Sequence, residues 1–153
     1  MLYIKARVRD EEHNERMPAY VTLVGRILLA LIFVAVAPRH FTTEAISHAR
    51  ELGVPLANVL VPISGVMALV GGLGLLLGYR VEACAWLLVA FLVPVTLGMH
   101  AFWRLDDPQM IHVQQAMFVK NLAMIGALLL VTQLGGGPLT LDARLARAPV
   151  AAR

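Results

Sequence analysis

Two places in this sequence set polar chemistry inside apolar runs: Arg26 in "VGRILLALIF" and the adjacent Lys120 and Asn121 in "FVKNLAMIGALLLV". A cation taken out of water must find water, backbone carbonyls, lipid phosphate, a ligand or a partner's acid. The apolar runs hold no interior aspartate or glutamate to answer either one. Each cation therefore has two readings. It snorkels along its flexible stem to the headgroups, or it holds an anionic or carbonyl-bearing ligand. Arg26 has a third reading, an ion pair with Glu82.

Helical spacing adds neighbours. Gln114, Met117 and Asn121 share one face at offsets of three and four. The segment "GMHAFWRLDD" sets His100 and Trp103 on one face, with Arg104, Asp106 and Asp107 following. Trp103 reads first as an interfacial aromatic and His100 first as a structural residue. The candidate ligand-binding set is Arg26, His100, Trp103, Gln114, Lys120 and Asn121, for a quinone, a lipid or an anion. No catalytic residue stands out. His40, His48, His100 and His112 lack metal-ligand spacing, and the paired transmembrane histidines of a haem bundle are missing, so neither metal nor haem is expected. A phosphate loop, a supported Ser-His-Asp pattern and a dinucleotide fingerprint are also missing. The single cysteine, Cys84, rules out an internal disulfide or CxxC pair and reads as a small packing residue.

The elements that must carry these residues follow from composition. Of 153 residues, 59% are hydrophobic and 15% charged. A soluble domain has about 45–50% apolar and about 25% charged residues, so the solvent of this chain is lipid. Its net charge of +3 reports loop orientation rather than nucleic-acid binding. A spanning helix needs roughly 20 apolar residues, and four windows qualify: Ala19 to Ala37, Leu56 to Gly78, Glu82 to Ala101 and Met117 to Leu134. Ala35-Val36-Ala37 looks like a signal-peptidase site, but Pro38 after it and Arg26 before it favour an uncleaved span. The expected fold is an all-α, four-transmembrane-helix bundle. Residues 1–18 form a charged leader, 19–142 the membrane domain and 143–153 a tail.

Lys5, Arg7, Arg9, Arg16, Arg80, Arg144, Arg147 and Arg153 lie in the two termini and the second loop, against Arg39, Arg50 and Arg104 in the other loops. That asymmetry predicts both termini in the cytoplasm. In the first outer loop Thr42 can cap, and Gly53 can end, a short helix lying along the interface. Asp107-Pro108 predicts that the fourth helix begins outside the bilayer and runs inward unbroken. Helix association in lipid relies on small residues, supplied by Ser64, Ala68 and Gly72 and by Gly74 and Gly78. Pro94 should kink the third span and free the Ala90 carbonyl, for which Thr96 or a neighbouring helix can donate.

Five segments in order carry a family resemblance: "GRILLALIF" from Gly25, "LGVPLANVLVPISGVMALVGGLGLLLGYR" from Leu52, "HAFW" from His100, "FVKNLAMIGALLLV" from Phe118 and "LTLD" ending at Asp142. Together, over about residues 20–142, they resemble the DoxX family of small bacterial membrane proteins. One departure is the end of the first span. Many relatives have a small-residue turn and then lysine there, whereas here Arg39 and His40 follow Pro38. The resemblance implies a four-helix protein of the bacterial inner membrane with links to redox systems, since DoxX-like chains include a subunit of a thiosulfate:quinone oxidoreductase. The expected function is an accessory or quinone- and lipid-contacting subunit of a membrane redox system, at most part of an enzyme. Lys120, Asn121 and His100 would meet the ligand, and Arg26 would support them from within. The alternative is a non-catalytic scaffold or assembly partner. Expected partners are the bilayer, redox subunits or further copies of the chain, and no nucleic acid.

Overall fold

A computed structural model describes residues 2–147, with side chains described from residue 19. Its helices are α1 (Leu2–Val36), α2 (Thr43–Glu51), α3 (Ala57–Leu77), α4 (Val81–Met99), α5 (Pro108–Leu134) and α6 (Leu141–Arg147). No strand occurs among the described residues. Four helical stretches are long and apolar enough to span a membrane, at Ala19–Phe41, Ala57–Leu77, Val81–Arg104 and Pro108–Leu134. In hydrocarbon each backbone polar group must be satisfied within the protein, which leaves the α-helix as the form for such runs. The expected membrane fold is therefore the observed one. The side chains of the charged leader, and the tail beyond residue 147, lie outside the described residues.

Local chemistry sets the helix ends. A 3-10 turn over Ala37–Phe41 begins where Pro38 halts α1. Thr42 then caps α2, its hydroxyl oxygen accepting from the Ala45 N–H at 3.3 Å, and Gly53 closes it at φ +81°. Asp107 caps α5 by accepting from the Gln109 N–H at 3.0 Å, with Pro108 in the first turn. Thr96 does not serve the Ala90 carbonyl. Its hydroxyl donates to Leu92 at 2.6 Å, the backbone oxygen one turn behind it and the usual reach of a helical threonine.

The spans pack in the row α1–α3–α4–α5, and α2 with the 3-10 turn lies against α3. Helix α3 is the hub because it is small on two sides. A Cβ at Gly72 would meet Phe33 at 3.0 Å, whereas one at Gly71 would meet Leu88 at 2.7 Å, so α1 and α4 approach its backbone from different directions. Phe33, Leu75, Leu88 and Leu128 fill the core. Phe91 meets Phe33 edge-on at 6.2 Å and His40 at 5.6 Å. Outward faces carry exposed Val21, Leu28, Val66, Val70 and Leu130, as lipid requires. Helices α1 and α5 end the row and barely touch each other.

Candidate functional site

An even number of spans puts the start of the first, the α3–α4 turn and the end of the last on one face of the bundle, called here the terminal face. Arg26 lies near it and is 4% exposed. Its Nη1 donates to the Leu75 carbonyl at 3.0 Å and its Nη2 to the Leu139 carbonyl at 2.9 Å. Leu75 lies in the last turn of α3, where its carbonyl also accepts from the Gly78 N–H at 3.3 Å and has a second lone pair for Arg26. The buried Nε has no hydrogen-bond partner among the described residues. Pairing with Glu82 is not made: Glu82 is exposed in the first turn of α4, and Asp142 is the acid whose charge acts on Arg26.

The Asp142 carboxylate is engaged elsewhere. Oδ1 accepts from the Arg80 N–H at 2.9 Å and Oδ2 from the Val81 N–H at 3.1 Å. Arg80 has φ +46°, and consecutive N–H groups around such a residue form a concave anion cradle. The chain's own carboxylate fills it and also complements the N-terminal dipole of α4. The Asp142 N–H returns a bond to the Gly78 carbonyl at 3.0 Å. Buried Thr140 caps α6, accepting from the Ala143 N–H at 3.0 Å. Gly78, at φ +70°, is fixed by this clasp, because a Cβ there would strike Arg26 Nη1 and lie 2.8 Å from Thr140.

Between α1 and α5 the open end of the row leaves a groove of about 270 Å³. Thr22, Gly25, Arg26 and Leu29 form one wall, Ala127, Leu130 and Val131 the other, and Gly135 and Gly136 its end. Thr22 and Arg26 are the polar residues of that lining.

The opposite face holds the rest of the predicted set. His100 Nδ1 and Gln114 Oε1 lie 2.7 Å apart, tying the segment after α4 to α5. Trp103, half-exposed, forms an edge-to-face trio with Phe102 and Phe118 at 5.1–5.6 Å. Asn121 is buried, and its amide makes no hydrogen bond among the described residues. Lys120 is exposed, and its Nζ reaches the Met117 Sδ at 3.4 Å. The groove at Arg26 includes Val131, eleven residues beyond Lys120 on the same helix, a separation of about 16 Å along the axis. The structure thus divides the six candidates, leaving Arg26 alone at one face and the other five toward the other. No three of His, Cys, Asp and Glu converge as a metal set among the described residues.

Asp142, Thr140 and Gly78 carry no site signal in the sequence. The available hint is Thr140 as a helix cap followed by an acid, yet nothing local says that the acid reaches back to Arg80.

These features define a class: a polytopic α-helical membrane protein, an open row of four spans clasped at the face where the chain enters and leaves. Residues 3–147 match the family model of the SURF4 family, and the chain belongs to that family. It is similar to the ER-derived vesicles protein ERV29 of Saccharomyces cerevisiae, 24% identical over 131 residues. That match covers 84% of this chain and 35% of the yeast protein, so the chain spans about a third of that relative's length. It is also similar to the inner membrane protein YphA of Escherichia coli, 27% identical over 128 residues, covering 80% of this chain and 88% of that one. No solved structure matches the chain.

The DoxX resemblance is thereby corrected. Its three longer motifs are apolar span segments carrying small residues, which any tightly packed four-span bundle tends to need, and "HAFW" and "LTLD" are four residues each. A match over residues 3–147 outweighs them. The redox and quinone expectations came through that resemblance and lose their support with it.

Proposed function

We propose that the chain is a membrane assembly protein, holding another membrane-embedded protein through its opposite face rather than performing redox chemistry. One observation carries the reading. Lys120 is exposed between exposed Val119 and Leu122, and among the described residues the one hydrogen-bond partner of its ammonium is the Met117 thioether. Sulfur is a weak acceptor, so a carboxylate on a partner's span is the group that would answer the charge. Half-exposed Trp103, edge-on to Phe118 at 5.6 Å, offers an aromatic anchor on the same face of the bundle. The names of both relatives give a membrane or vesicle location rather than a reaction.

The proposed location is the bacterial plasma membrane with both termini in the cytoplasm, by analogy with the E. coli relative that the chain nearly spans and by the loop charges. The test combines a photo-crosslinking residue at Val119 in native membranes with purification in mild detergent. A stoichiometric partner is expected that Lys120→Ala loses and Lys120→Arg keeps. Purification of the native chain alone, or full partner retention by Lys120→Ala, would sink the reading.

A further inference from the structure

We propose that the groove between α1 and α5 is a binding site for an anionic phospholipid, with a headgroup oxyanion on Arg26 and the start of an acyl chain between the helices. The guanidinium is the source of the argument. It is buried, its two bonded partners are neutral carbonyls, and its Nε–H is left without an acceptor among the described residues. Such a donor is costly to leave unmade, more so when it carries charge. Asp142 acts on it electrostatically, but both carboxylate oxygens are taken by the N–H groups of Arg80 and Val81. The remaining need is for an oxyanion.

Depth and shape select its source. Arg26 bonds at Leu75, two residues before the end of α3, about 3 Å along the axis. A guanidinium that close to the end of a span is within reach of the phosphate and glycerol oxygens in the polar layer, about 5–7 Å thick, that flanks the hydrocarbon core. The groove then continues between Leu29 and Leu130, apolar surfaces with no polar partners to order a water. Gly25 keeps it open, since a Cβ there would meet nothing within 4 Å. The ends of the helix row do not close on each other, so the entrance is from the bilayer.

The test titrates purified full-length protein in mild detergent with phosphatidylglycerol, phosphatidylcholine or inorganic phosphate and reads the melting temperature. Phosphatidylglycerol is expected to raise it, and the other two are not. Arg26→Gln should abolish the shift, but it also cuts two structural bonds. Gly25→Leu therefore carries the decision, because it fills the groove and leaves the bonds of Arg26 intact. With native helical content, it is expected to weaken the phosphatidylglycerol response at least tenfold. Lys120→Ala should leave that response unchanged, which separates this site from the proposed assembly face. A native-like response in Gly25→Leu, an equal shift with phosphatidylcholine or with phosphate alone, or no shift with phosphatidylglycerol would each overturn the proposal.

Discussion

Arg26 donates to the carbonyl of Leu139 at 2.9 Å, a bond between residues 113 apart that joins the first span to the segment following the last. Through its other Nη the same side chain holds α3 at Leu75. One residue therefore ties together three parts of the chain that arrive at the terminal face separately. Asp142 completes the clasp by fastening the same returning segment to the start of α4.

Removing the acid should loosen the clasp in a defined place. Asp142→Ala leaves the Arg80 and Val81 N–H groups without their acceptor, and the left-handed Arg80 is then held only through its carbonyl, which accepts from the Cys84 N–H at 2.9 Å. A loss of about 1–3 kcal/mol is expected, read as a lower melting temperature in detergent. Faster proteolysis after Leu134 should accompany it. Asp142→Asn, which keeps one acceptor oxygen, should fall between the two. Equal stability of all three proteins would show the clasp to be idle.

Two glycines should respond to alanine with opposite signs. Gly78→Ala places a Cβ against Arg26 and Thr140 at a positive φ, a strain of about 1–3 kcal/mol before any clash is counted. Gly25→Ala adds a methyl group to open space on a helix, where alanine is preferred by about 0.5–1 kcal/mol. Thermal unfolding of the pair under one condition checks both. Matching signs would contradict the packing described for the terminal face.

The aromatic trio is open to fluorescence. In a Trp86→Phe background Trp103 is the one tryptophan of the chain. Phe118→Ala then removes the ring lying edge-on at 5.6 Å. A red shift of Trp103 emission is expected, with a stability loss of about 0.5–1.5 kcal/mol from the lost ring pair. Unchanged emission would mean that Trp103 does not rest on α5 in the membrane.

Much of the architecture is legible in the amino-acid sequence. The span windows, the α2 helix between Thr42 and Gly53 and the start of α5 at Pro108 follow from hydropathy, caps and proline, all properties of a few neighbouring residues. Arg26, His100, Trp103, Gln114, Lys120 and Asn121 stand out because polar groups in an apolar run are conspicuous. Their partners do not. The Glu82 pairing fails because proximity along a bundle end does not say which way the first turn of α4 points. Thr96 turns to Leu92 because its own helix presents that oxygen first. The DoxX resemblance misleads for a related reason: the small residues that pack spans recur wherever spans pack.

Composition and local pattern suffice to establish a four-span membrane protein, the neighbourhood in which each span begins and ends, and the cations that need an answer. In lipid a helix satisfies its backbone within itself, so span identity is local and can be read from a short window. Folding in three dimensions is what gives Arg26 to Leu75 and Leu139, seats Asp142 in the cradle before α4, and leaves a groove between α1 and α5. Those outcomes depend on which small faces meet and how closely two backbones approach, and packing between residues far apart in the chain sets both.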